Sequence, residues 1–303
     1  MSITSAIGNT PLVELIQLNS KKPSVRIFGK LEGANPGGSV KDRPAYYMIK
    51  RAEESGELTP QKTILEATSG NTGIAVAMIG AAKGYRVKLC MPECVSTERQ
   101  QILRALSADV VLTPAREGTD GAIRRAHQLL ESEPDTYYMP NQFENESNVL
   151  AHYETTGPEV FAQTNGQVDV FVAGMGTTGT LMGVKRFLKE KKPQVKVVGV
   201  EPGLGHTIQG LKNMTESMVP GIYDPNLLDE KITVEDGEAF ETTRLLAARE
   251  GVFVGMSSGA AVAGALSIAR QMLHGTIVVL LPDRGDRYLS TTLFRSICAK
   301  CPP

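Results

Sequence analysis

Apolar residues along this 303-residue chain recur in two rhythms. Short β-branched runs at 63–67, 87–91, 109–112, 169–173, 196–201 and 276–281 read as strands buried on both faces. Longer alanine-rich runs at 73–83, 97–106, 121–131, 179–190, 238–250 and 259–273 read as helices. Ser258 stands where an N-cap would open the last of them. Strands alternating with helices predict an α/β fold of mostly parallel, twisted sheets flanked by helices. A polar stretch at 139–147 separates two strand–helix series, so the pattern predicts two subdomains with a crevice between them. Ligands in such sheets bind beyond the carboxyl ends of strands, and the glycine-rich segments fall at those turns.

Charge narrows the function classes. Lysine plus arginine total 32 against 33 acidic residues, so the net charge of -1 offers no patch for nucleic acid or an anionic membrane. The first residues lack the basic and apolar segments of a signal peptide, and the apolar run at 277–281 is too short to span a bilayer. A cytoplasmic protein is expected. Cysteines fall as Cys90-x3-Cys94 and Cys298-x2-Cys301, and no histidine or acid completes either locally as a metal site. Reduced thiols and no metal are therefore expected.

Chemistry enters at Lys41. It follows the glycine-rich Asn35-Pro36-Gly37-Gly38-Ser39-Val40 and precedes a helical run. A lysine at a helix start faces the positive end of the helix dipole, which favours the neutral amine that a Schiff base needs. A lone lysine is more often a solvated surface charge. Two further segments change that balance: Ser69-Gly70-Asn71-Thr72-Gly73 and Gly176-Thr177-Thr178-Gly179-Thr180 both look like anion cradles at helix N-termini. An amine, a phosphate cradle and a carboxylate cradle together suggest pyridoxal phosphate holding an amino acid. In that scheme Gly176, Thr177, Thr178, Gly179 and Thr180 bind phosphate. Asn71 donates to the ring oxygen, and Thr68, Ser69, Gly70 and Thr72 suit the substrate carboxylate. Ser257 as partner of the pyridine nitrogen would leave the ring unprotonated, which favours β-elimination and β-replacement.

Two other motifs compete. Gly174-Met175-Gly176-Thr177-Thr178-Gly179 fits G-x-G-x-x-G, with Glu201 ending the next strand, as in an NAD-binding oxidoreductase. That reading leaves Lys41 and Asn71 without a task, and its hydroxyl-rich turn suits a terminal phosphate better. Gly255-Met256-Ser257-Ser258-Gly259 fits a hydrolase nucleophile elbow, but no acid lies between Ser257 and the last histidine, His274. The required order cannot be built.

The blocks around Lys41, Asn71, Thr177 and Ser257, with Thr155-Thr156-Gly157-Pro158-Glu159 and Arg287-Tyr288-Leu289-Ser290-Thr291, resemble the cysteine synthase (O-acetylserine sulfhydrylase) family. The resemblance runs from Ile7 to about Leu293. It implies the two-domain fold type II architecture, with residues 36–146 as a smaller domain inserted between 1–35 and 147–303 of a larger one. It also implies that Gln142 joins the substrate-carboxylate site and that the protein is a homodimer making L-cysteine from O-acetyl-L-serine. Asp283-Arg284-Gly285-Asp286-Arg287 resembles the B-type isozyme, which accepts thiosulfate to give S-sulfocysteine. Pro282 and Lys212 depart from the cysteine and arginine usual there, and Lys212 would supply a cation at the crevice entrance. A core-only cystathionine β-synthase, an O-phosphoserine sulfhydrylase and a catalytically silent partner protein are the alternatives.

Overall fold

The computed structural model describes residues 2–68 and 70–294. Ser69 and the Cys298/Cys301 pair lie outside the described residues. One sheet contains β1 (Leu12–Glu14), β2 (Val25–Leu31), β7 (Val170–Gly174), β8 (Lys196–Pro202), β9 (Glu230–Val234) and β10 (Gly275–Leu281). Its order is β1-β2-β10-β7-β8-β9, parallel throughout except at the β1–β2 edge. A second, all-parallel sheet has the order β5-β4-β3-β6. Its strands are β3 (Thr63–Ala67), β4 (Arg86–Pro92), β5 (Asp109–Thr113) and β6 (Tyr137–Tyr138), all from a continuous stretch of chain.

Burial explains where the elements lie. β10 is apolar from Ile277 to Leu281 because helices cover both its faces and β2 and β7 flank it. Helix α2 (Asn71–Lys83) is apolar on all sides from Ile74 to Ile79 and sits in the core beside the second sheet. Helix α1 (Asp42–Ser55) is amphipathic and packs Ala45, Ile49 and Ala52 into that same core. The remaining helices are α3 (Thr97–Ala105), α4 (Gly118–Ser132), α5 (Glu146–Ala151), α6 (Gly157–Gln163), α7 (Gly179–Lys191), α8 (Asp236–Leu245) and α9 (Met256–Gln271). Among the described residues no helix is long and apolar enough to cross a membrane.

Three expectations are revised. The run at 238–250 divides into α8 and a π-helical turn, Leu246–Glu250. The strands β1, β2, β6 and β9 carry no uniform apolar run, and the pattern did not announce them. Ser258 does not cap α9: the helix begins at Met256 with Gly255 as its N-cap, which puts Ser258 inside the first turn, buried. The extended backbone of Gly255 and burial of Met256 bring the helix start forward.

Candidate active site

Lys41 is the capping residue of α1, and its carbonyl oxygen accepts from Ala45 N at 3.1 Å. The loop before it is pinned on both sides. Val40 N donates to Pro282 O at 2.8 Å, just past the end of β10, and Gly37 N donates to Asp42 Oδ2. The Lys41 amine therefore has a fixed origin. Burial lowers it to about 8, against the opposing pull of the Asp283 carboxylate. Its Nζ stands 3.5 Å from Thr177 Oγ1, at the start of the second cradle.

That cradle joins β7 to α7. Gly176 has to be glycine, because a Cβ there would come within 2.6 Å of Gly210 O. Thr178 takes the left-handed conformation, φ +68°, and turns the chain into α7 with free N–H groups at its start. Two hydroxyls are held from outside the loop. Asn148 Nδ2 donates to Thr177 Oγ1 at 3.2 Å, and Thr180 Oγ1 lies 3.2 Å from His152 Nε2. Burial first, then the Arg43 and Lys41 charges, hold His152 well below its usual range, so the imidazole is neutral. Glu201, the acid of the dinucleotide reading, is engaged by Lys231 at 2.9 Å and by Met214 N.

The first cradle opens α2. Gly70, its N-cap, has φ +151°, which a side chain would strain. Thr68 Oγ1 accepts from the amides of Gly70 at 2.9 Å and Gly73 at 3.3 Å, so its own proton is free to be donated. Thr72 Oγ1 donates to Gln142 Oε1 at 2.7 Å, and Gln142 Nε2 donates to Ala67 O. Gln142 therefore packs against the loop that opens α2.

Asn71 is oriented by charge. Arg287, which can only donate, reaches Asn71 Oδ1, and Asp283 Oδ2 accepts from Asn71 Nδ2 at 2.6 Å. This fixes which side of the amide is which and leaves one N–H of Nδ2 to spare. Asp283 Oδ2 also accepts from Tyr288 Oη at 2.6 Å, and Tyr288 Oη accepts from Arg99 Nη2 at 2.8 Å. That Asp283 and Arg287 orient Asn71, and that Asn148 holds Thr177, escaped a reading of local motifs, because each acts on a loop far away in sequence.

Lys41, Asn71, Ser257 and the Thr177–Thr180 hydroxyls line one cavity of about 460 Å³. Thr68, Thr72 and Gln142 close another wall of it. Ser257 is the second residue of α9 and 4% exposed. Gly70 and Gly179 shape the two helix starts without lining the cavity. Lys212, expected as a cation at the crevice entrance, lines the cavity but is largely buried in its wall. Its Nζ lies 3.5 Å from Asp120 Oδ1 and 4.9 Å from the Phe143 ring centroid.

The arrangement fits pyridoxal phosphate on its own geometry. A helix N-terminus that excludes a Cβ faces the same space as a lysine of lowered basicity and a neutral serine.

Comparison with known proteins agrees. The family model described as "Pyridoxal-phosphate dependent enzyme" matches residues 3–283. Cysteine synthase B of Salmonella typhimurium is 48% identical over 293 residues, covering 97% of this chain and 96% of that protein. The crystal structure of O-ureido-L-serine synthase superposes with a TM-score of 0.92 at 41% identity, covering 99% of this chain and 96% of that one. Cysteine synthase from Entamoeba histolytica gives 0.91 at 40% identity, with 96% and 90% covered.

Proposed function

This chain belongs to the pyridoxal-phosphate dependent enzymes, and on that premise we propose that it makes L-cysteine from O-acetyl-L-serine and sulfide by β-replacement. The observation that carries the reading is the convergence of two helix N-termini, α2 and α7, on one cavity that Lys41 also lines. One suits a dianionic phosphate and the other an amino-acid carboxylate.

Pyridoxal phosphate, when bound, supplies the electron sink that acidifies the substrate's α-carbon. Lys41 would hold the cofactor covalently through its aldehyde. Its freed Nζ, with a basicity near neutral pH, takes the α-proton and later returns a proton to the same carbon. The bond from the β-carbon to acetate breaks, and a carbon–sulfur bond replaces it. Thr177 to Thr180 and the α7 amides hold the phosphate. Thr68, Thr72 and Gln142 orient the substrate carboxylate, while Asn71 gives its spare N–H to the ring oxygen. Ser257 would donate its hydroxyl proton to the pyridine nitrogen in a hydrogen bond without transferring it. The residues 36–146, which hold all of the second sheet, form the smaller domain of this scheme.

Steady-state assay tests the reading directly. Purified protein loaded with cofactor should release acetate from O-acetyl-L-serine and form cysteine with sulfide. Turnover confined to O-phosphoserine, or to homocysteine as sulfur donor, would move the assignment to a neighbouring activity. Thiosulfate as a second donor is the finer proposal, supported by Lys212 in the cavity wall. A cytoplasmic homodimer completes the proposal, and light scattering should give twice the chain mass.

A further inference from the structure

Behind the proposed carboxylate cradle lies an acid that the reaction does not use. Glu66 is the fourth residue of β3 and 1% exposed. Its strand partner on one side, β6, is only two residues long and pairs with Thr63 and Ile64 alone. Past that point the chain leaves the sheet and reaches Gln142 through Asn141, which is left-handed at φ +50°. Gln142 returns to β3 by donating Nε2 to Ala67 O at 3.2 Å. Glu66 occupies this gap in the ladder, where its Oε1 accepts from Ala67 N at 2.9 Å. Among the described residues Oε2 has no hydrogen-bond partner, so no donor fixes it as an ionised oxygen.

We propose that Glu66 is a positioning residue that acts as a neutral acid. It supports the Asn141–Gln142 turn from behind so that Gln142 and Thr72 face the substrate's carboxylate. The inference rests on reading Thr68, Thr72 and Gln142 as the carboxylate site. The same turn also reaches the phosphate loop, because Asn148 Nδ2 donates both to Gln142 O at 2.7 Å and to Thr177 Oγ1. A displaced turn would therefore disturb both ends of the bound ligand. An ionised Glu66 would in addition set a fixed negative charge behind a site built for an anion.

The surroundings favour the neutral form. Burial pushes Glu66 up to about 8, against the backbone amides of Ala67, Gln142 and Asn141. The ionisable groups that feel its charge are Cys90 on β4 and Tyr138 on β6. Burial raises Cys90 to about 11 and lifts Tyr138 above the usual tyrosine range, so both stay neutral while Glu66 titrates. Among the described residues no lysine, arginine or histidine of β4, β6, α1, α2 or α4 shifts it.

Two measurements on the cofactor-loaded protein test this, comparing the parent with Glu66→Gln, which keeps the shape and stays neutral. The first is calorimetric binding of L-serine from pH 6.5 to 9.5. The parent's affinity should fall above pH 8 by about tenfold relative to the Gln variant, the size of a unit-charge repulsion in a polarisable interior. The comparison cancels ionisation of Lys41 and of the ligand, which both proteins share. Glu66→Ala should weaken binding at every pH, with Glu66→Gln restoring it. The second is the thermal midpoint against pH. A raised native pKa means that the parent loses stability relative to Glu66→Gln as pH rises from about 4.5 to about 8, beyond which the gap is constant. Superposable curves for parent and Gln variant in both measurements would overturn the proposal. Failure of the parent to bind L-serine at pH 7 would count against the proposed function instead. The stability gap would then still report whether Glu66 is a buried neutral acid, and its absence would overturn that too.

Discussion

Lys212 Nζ stands 3.5 Å from Asp120 Oδ1, so the cation proposed to meet a dianionic sulfur donor is already paired. Asp120 heads α4 and Lys212 follows β8, and both line the cavity. Thiosulfate has to compete with this carboxylate, whereas hydrosulfide, a small monoanion, depends less on the lysine. Lys212→Ala should lower kcat/KM for thiosulfate by about tenfold or more, given about 1.5–3 kcal/mol for a hydrogen bond to a charged group. Its effect on sulfide should be several times smaller. Asp120→Asn frees the ammonium and should move the donor ratio toward thiosulfate. Equal losses with both donors would remove Lys212 from the donor site.

Covalent attachment should map to a single lysine. Borohydride reduction of the loaded protein followed by peptide mass mapping is expected to place a pyridoxyl group on Lys41. Because burial holds its amine near 8, uptake of the cofactor by the stripped protein should rise as pH passes through about 8. An exposed lysine, ordinarily near 10.4, would show that rise more than two units higher. A label elsewhere, or an uptake curve still climbing at pH 10, would contradict the assignment.

The parts of this site that were legible in the sequence are those carried by a helix start. At Lys41, Asn71, Gly176–Thr180 and Ser257 the needed conformation and the needed donor are written within a few adjacent residues. Buried parallel strands such as β3 and β10 were equally plain, because both faces demand apolar residues. β2 was not. Its Lys30 is fully buried, a place that an apolar pattern gives to no lysine, and it is tolerated because Thr10 O accepts from it and Glu159 and Gln163 arrive from far along the chain. Asp283 and Arg287 illustrate the same limit. They mark a subtype by their spelling, yet their bonds to Asn71 span more than 200 residues.

Arg43, two residues beyond Lys41, lies between Glu32 at 2.7 Å and Glu159 at 2.6 Å, with Lys30 on the far side of Glu159. These charges tie α1 to α6 and β2. Despite burial, Arg43 and Lys30 hold the Glu159 carboxyl down at about 2. A lowered native pKa gives stability that is complete above about 4.5 and is lost as pH falls toward 2. Glu159→Gln should therefore cost about 3–5 kcal/mol at pH 7, the scale for breaking a buried pair. Urea titrations repeated at lower pH should show that cost shrinking below pH 4.5. A cost independent of pH would mean that packing, not charge, explains the loss.

Ser257 offers the sharpest test of reaction type, because changing one group there changes the charge on the ring. It sits in the first turn of α9, 4% exposed, in a wall shared with Leu280 and Pro282. A hydroxyl in that place can exchange a hydrogen bond with the pyridine nitrogen but cannot keep it protonated. Ser257→Asp would protonate it and let the ring retain charge that β-elimination has to release. That variant should hold its cofactor, as judged by its visible absorbance, yet lose cysteine formation. Ser257→Ala removes one neutral hydrogen bond of about 0.5–1.5 kcal/mol, so its turnover should fall by no more than about tenfold. The two variants thus separate charge from simple contact. If the Asp variant turns over like the parent, the pyridine nitrogen has another partner, and the preference for β-replacement needs a different origin.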